Sequence, residues 1–213
     1  FFFVVLILAV GANSCNLYMT YDYGKDSMRG KSELTDTKNN KTSGLDKDYA
    51  TAWSYGIAET LDLFVPNFMG GASMSKLDQN TETYKTCKKY GVSDLKNVTK
   101  SMPTYWGEQP ITSGPVYIGA VVVFLFIFGL LYVEGIAKWW LAIATLFSIL
   151  LAWGHNFMPL TDIFLDYFPG YNKFRTVSMI LVIAEFTMPL LAIFAVKKFI
   201  EDEQKEVAFK KLC

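Results

Sequence analysis

VYIGAVVVFLFIFGLLYV, residues 116–133, carries no charge over eighteen positions and sets Tyr117 and Tyr132 near its two ends. Phenol rings favour the headgroup zone of a bilayer, and crossing roughly 30 Å of hydrocarbon takes about 20 helical residues, about 17 at the least. The stretch therefore reads as a transmembrane helix, and it decides the fold class. Working outward, the runs 1–21, 109–133 and 139–154 are uncharged and apolar, whereas residues 22–108 hold 24 of the 40 charged side chains, twelve of each sign. With 52% hydrophobic and only 19% charged residues, the chain is more apolar than an ordinary soluble domain of its length.

Three further spans are expected. Trp139–Gly154 is short, but the uncharged His155–Thr161 can extend it, and Trp139, Trp140 and Trp153 supply interfacial anchors. Thr176–Val196 holds Glu185 at its midpoint and Pro189 one turn later, so it should be kinked and cannot face lipid all round. An intramembrane carboxylate costs roughly 2.5–3.5 kcal/mol unless partnered or protonated, so Glu185 is expected to face a protein interior or a wet cavity. Its role there is open between a hydrogen bond to a neighbouring helix and proton relay or substrate contact. Phe1–Ala12 starts inside its apolar run without Met or a basic leader, as a truncated helix would. A secretory signal, or a lipoprotein site at Ser14-Cys15, is the competing reading, and the missing basic n-region weighs against it.

Basic residues set the orientation. The tail 197–213 has five Lys and the 134–138 loop has Lys138, which puts both on the cytoplasmic side. The expected layout is thus a mainly α, polytopic membrane protein with about four transmembrane helices and a helical, loop-rich extracytoplasmic domain. The spans are 1–12, 116–133, 139–154 and 176–196; residues 13–115 and 155–175 lie outside, and 197–213 form the cytoplasmic tail. Cys15 and Cys87 would then both face an oxidising compartment, where a disulfide between them is possible but unforced, while Cys213 would be cytoplasmic. Asn40 and Asn97 match the glycosylation acceptor pattern, which carries meaning only in a eukaryote.

Within the outer domain, Thr51–Phe64 sets Trp53, Ile57, Leu61 and Phe64 on one stripe at helical spacing, closed by Pro66. Glu59 and Asp62 fall off that stripe and are expected to be solvated. Leu77–Tyr90 reads as a second, more polar helix capped by Gly91. Gly70-Gly71 and residues 35–48 read as loops. No P-loop, GxGxxG, GxSxG or HExxH is present, no Cys/His spacing suggests a metal, and no basic stripe suggests nucleic acid. His155, the single histidine, reads as an interfacial polar residue.

The second outer loop is more suggestive. Asp162, Asp166, Tyr167 and then Pro169–Arg175 run into the fourth span, and Lys173 and Arg175 place positive charge where topology disfavours it. They suit a lipid phosphate, Arg by a bidentate fork and Lys as a point charge. Equally, they suit snorkelling to headgroups or pairing with Asp162 and Asp166.

Four stretches together resemble the YfhO family of bacterial membrane proteins in its Bacteroidetes form: Trp53–Glu59, Tyr105–Gln109, Gly114–Gly119 and Phe168–Arg175. The resemblance covers about Asn13 to about Val196. It implies a multi-pass protein of the bacterial cytoplasmic membrane with further helices outside this chain, related to the C-type glycosyltransferases. Those enzymes transfer a sugar from a polyprenyl-phosphate carrier on the outer face, with an acid in the first outer loop as base. That loop would lie upstream of Phe1, so neither Glu59 nor Glu108, the candidate carboxylates within the chain, inherits its role. Under this reading Lys173 and Arg175 hold the carrier phosphate, and Tyr105, Trp106 and Tyr171 contact sugar or acceptor. No other cofactor is expected; the partners are membrane lipids and the remaining helices. The competing function is a non-enzymatic scaffold or transport component whose outer domain binds a partner, with Glu185 in packing or proton coupling.

Overall fold

The structure, a computed structural model, describes residues 1–27, 30 and 44–202. The expectations for residues 35–43, Asn40 and Cys213 lie outside them. Among the described residues the chain is mainly helical, with no strand and only two isolated bridges, Gly70 with Tyr105 and Ser75 with Met102. The fold has two units, one formed by Phe1–Ala52 with Met158–Thr176, the other by Trp53–Phe157 with Val177–Cys213.

In the first unit, α1 (Phe2–Ala12) and α2 (Ser14–Lys25) meet at a 61° bend. No residue of either is buried, and Cys15 is an exposed free thiol. A short helix α3 (Lys47–Ala50) is started by Asp46, whose carboxylate accepts from the backbone N–H of Asp48.

The second unit carries the outer segment and the apolar bundle. Here α4 (Glu82–Lys89) begins at the Thr81 cap rather than at Leu77, because the Thr81 hydroxyl accepts from Tyr84 N–H. Its end matches expectation. Gly91 takes φ +67°, and the N–H groups of Gly91 and Val92 return to the carbonyls of Lys88 and Cys87, the paired bonds of a Schellman cap. Cys87 is a free thiol. After α5 (Leu95–Val98) come the apolar helices α6 (Ala120–Tyr132) and α7 (Ile136–Ala152). The first unit contributes α8 (Met158–Tyr167), and α9 (Val182–Glu201) returns to the second.

A shared core of Phe126, Val133, Leu141, Ala184, Met188, Leu191 and Ala195 joins α6, α7 and α9. Gly129 permits the α6–α9 approach: a Cβ there would stand 3.0 Å from Leu191 Cγ and 3.1 Å from its carbonyl oxygen. Between α7 and α9 the hydroxyls of Thr145 and Thr187 share a buried 2.6 Å hydrogen bond. The end of α6, the start of α7 and the end of α9 meet, with Lys198 paired to Glu134 at 3.1 Å and Tyr132 bonded to Asp202. At the opposite end, Ile118 and Gly119 donate to Leu63 O, and Tyr55 donates to Ala152 O at 2.8 Å.

Helix lengths refine the membrane reading. The helical run Val177–Glu201, 25 residues, is long and apolar enough to cross a membrane by itself. Phe2–Ala12 with Ser14–Lys25, and Ile136–Ala152 with Gly154–Tyr167, qualify only if each pair is one broken span, giving up to three crossings among the described residues. Residues 116–133, expected to be helical throughout, are helical only from Ala120 to Tyr132. Gly119 at φ +112° breaks the start, and Val133 turns extended, so this helix is about 20 Å long by helical rise.

One side-chain expectation is corrected. The helix expected over Thr51–Phe64 is a 3₁₀ turn over Ala58–Leu63 alone. Its acids are inside, Glu59 and Asp62 each 1% exposed, while Ile57, Leu61 and Phe64 are exposed. A three-residue repeat eclipses positions 59 and 62, and backbone and phenol donors meet both acids there. Glu185 is exposed in this chain, in the first α-helical turn after the 3₁₀ turn Val177–Leu181 and nine residues into the helical run Val177–Glu201.

Candidate functional site

The second unit gathers the carboxylates around two glycines. Glu59 accepts from the N–H of Gly56 and from the Tyr105 hydroxyl, which in turn accepts from Gln109 N–H at 2.9 Å. A Cβ on Gly107 would fall 2.1 Å from Glu59 Oε1 and 2.2 Å from the Tyr105 oxygen, so only glycine fits against this pair. A Cβ on Gly56 would stand 3.0 Å from Glu59 Oε2 and 3.3 Å from Glu108 Cδ. The two carboxyl groups thus flank one glycine, Glu59 buried and Glu108 half-exposed.

Glu108 is held by the turn after α7. Asn156 Nδ2 donates to Glu108 Oε2 at 2.6 Å and to Tyr55 O at 3.2 Å, and His155 Nε2 lies 3.7 Å from the same carboxylate oxygen. That turn needs Gly154, at φ +49°, because a Cβ there would meet Ser54 Oγ at 2.0 Å. Ser54 Oγ accepts from His155 N–H at 2.8 Å and fixes the histidine's backbone. Trp53 Nε1 donates to Ile111 O at 3.1 Å, which pins the loop carrying Glu108.

Burial, with the hydrogen bond to Glu59, pushes the Tyr105 phenol well above the usual tyrosine range, so at neutral pH it is a donor. The Tyr55 phenol is raised further by burial and by Asp62 and Glu59. Beside Tyr105, the Trp106 indole is 76% exposed. Tyr105 itself is half-buried with its hydroxyl committed to Glu59, which leaves the ring edge for any sugar contact. The arrangement can orient an exposed carboxylate next to an imidazole, a pair able to accept and pass a proton.

In the first unit the loop cations have other neighbours than the sequence offered. Asp162 and Asp166, one turn apart on α8, are taken by Lys47, at 2.6 Å and 3.3 Å. The hydrogen bond to Asp162 leads in holding the Lys47 ammonium above the usual lysine value, against the effect of burial. Arg175 is exposed, donates to the Tyr49 hydroxyl at 2.8 Å and stands 5.8 Å from that ring's centroid. Lys173 is half-buried in the turn Tyr171–Lys173. Tyr171 is not an open stacking platform: it packs against Leu45, Ala50 and Leu165, with its hydroxyl buried and without a partner. Around it Tyr167, Phe168 and Phe174 are exposed rings.

Lys173, Arg175 and Tyr171 therefore belong to one unit, and Glu59, Glu108, Tyr105 and Trp106 to the other. Sequence reasoning missed Lys47, Tyr49 and Asn156, and it set His155 aside. No local pattern links His155 to a glutamate 47 positions earlier. Among the described residues no group of three or more His, Cys, Asp or Glu side chains forms a metal-binding cluster. Comparison of the chain with models of known families, with curated proteins and with solved structures finds no match.

Proposed function

We propose that the chain is part of a multi-pass protein of the bacterial cytoplasmic membrane that acts on a lipid-linked sugar at the outer face. The observation that carries this reading is the Glu108 carboxylate, oriented by Asn156, beside His155 and across Gly56 from Glu59. In this reading α6, α7 and α9 cross the bilayer with the Tyr132–Asp202 end in the cytoplasm, and the helices at the N-terminal end add a fourth crossing. Glu108 takes the proton of an acceptor hydroxyl as that oxygen bonds to the sugar's anomeric carbon. The bond from that carbon to the carrier phosphate breaks, and the phosphate leaves with the electron pair. Exposed Trp106 offers a face for a sugar ring, and Glu59 with Tyr105 fixes the loop beneath it. Within the other unit, Arg175 and Lys173 contact phosphate at the headgroup level, with exposed Phe168 and Phe174 entering the interface.

The test is transfer from a short-chain polyprenyl-phosphate sugar by the full-length protein in nanodiscs. Glu108→Gln is expected to lower the rate by about 10²- to 10⁴-fold with carrier binding retained, the usual cost of losing a general base. Unchanged transfer in Glu108→Gln would remove Glu108 from the chemistry. No binding of any carrier by folded wild type would remove the transferase reading altogether.

A further inference from the structure

The 3₁₀ turn that buries Glu59 and Asp62 also decides what its outer surface is made of. Between Ile57 and Ser75 these two acids are the only charged side chains, and both are 1% exposed. The large side chains left exposed on this segment are Ile57, Leu61, Phe64, Val65, Phe68 and Met74. The spacing 61, 64, 65, 68 follows the turn, because Leu61 O accepts from the N–H groups of Phe64 at 3.2 Å and of Val65 at 2.9 Å. Large apolar side chains gathered with no exposed charge among them mark an interaction surface rather than a solvated face.

Its place in the fold points to what covers it. Leu63 O accepts from the N–H groups of Ile118 and Gly119, both at 3.0 Å, immediately before α6 begins at Ala120. Thr60 Oγ1 accepts from Trp153 Nε1 at 2.9 Å, immediately after α7 ends at Ala152. The turn is thereby fastened to one end of both apolar helices. Helix α6, about 20 Å long by helical rise, stops short of the roughly 30 Å of a hydrocarbon core. Backbone N–H groups cannot be left open at that depth, and Leu63 O satisfies two of them. Tyr117, exposed and next in sequence to Ile118, supplies the amphipathic ring of an interface.

We propose that the segment Ile57–Phe68 lies in the outer leaflet of the bilayer. Leu61, Phe64, Val65 and Phe68 enter the boundary between headgroups and acyl chains, and Glu59 and Asp62 are turned away from it. The partner is the lipid surface itself, and because the face carries no charge, zwitterionic lipid suffices. The inference rests on the reading in which α6, α7 and α9 cross the membrane, and it is independent of any chemistry at Glu108. The test places a nitroxide on Leu61→Cys, Phe64→Cys or Ile127→Cys, each in a cysteine-free full-length chain reconstituted in phosphatidylcholine vesicles. Collisions with oxygen, which concentrates in hydrocarbon, are compared with collisions with a water-soluble nickel chelate. All three side chains are exposed, so the substitutions remove little packing. Oxygen-favoured collisions are expected at Leu61→Cys and Phe64→Cys, at a shallower depth than at Ile127→Cys. Nickel-favoured collisions at the first two, with Ile127→Cys oxygen-favoured, would overturn the insertion and leave the crossing of α6 standing. Nickel-favoured collisions at Ile127→Cys would overturn the crossing and the insertion with it. Protection of Leu61→Cys and Phe64→Cys from both reagents would mean that protein covers the face, and would overturn lipid as its occupant.

Discussion

Gly107 carries the tightest steric demand at the carboxylates, since its missing Cβ leaves room for both Glu59 Oε1 and the Tyr105 hydroxyl. Gly107→Ala should cost about 1–3 kcal/mol, the usual penalty for overpacking a filled site, read as a lower melting temperature in detergent. A wild-type melting curve in that variant would mean that the Glu59–Tyr105 bond is dispensable. The phenols give a pH signature. Tyr55 and Tyr105 both have folded values raised above the ordinary 10.0, mainly by burial. Their neutral forms are therefore the favoured ones in the folded state. The stability they contribute is full below about 10 and is lost as pH rises through the folded values. Phenolate absorbance should show Tyr55 and Tyr105 ionising only on unfolding. A Tyr105→Phe variant should lose one of these late groups.

At the level of elements, the α3–α8 pairing rests on one lysine clamped by two acids on successive turns. Lys47→Ala leaves Asp162 and Asp166 as like charges four residues apart, and it should cost about 1 kcal/mol by thermal or denaturant unfolding, less at high salt. Gly129→Leu should be harsher, because the added side chain meets Leu191 and Ala195 and must part α6 from α9. Some of these elements were legible in the sequence. Gly91 announced a cap and formed one, and the apolar runs named α6, α7 and α9. The 3₁₀ turn was not legible, because a wheel drawn at 3.6 residues places Glu59 and Asp62 off the apolar stripe while a repeat of three turns them inward.

For the whole molecule, Val177–Glu201 is long and apolar enough to cross a membrane, and α6 and α7 pack against α9 through a shared apolar core. The two ends of that bundle differ in chemistry. One end carries Tyr132, Glu134, Lys198 and Asp202, tied by side-chain bonds, and the other carries the segment with Glu59, Glu108 and His155. The candidate site was half legible: Glu59, Glu108 and Tyr105 were singled out from the sequence, but contacts over 46 to 48 positions brought them together with Asn156, and local patterns do not record such contacts. We propose that this site faces outward from a membrane-crossing bundle, and labelling of single cysteines in a cysteine-free background by a membrane-impermeant maleimide tests it directly. Trp106→Cys should react in intact cells, and Glu134→Cys only after permeabilisation. Equal reactivity of both positions in intact cells, or protection of Trp106→Cys until permeabilisation, would contradict the account.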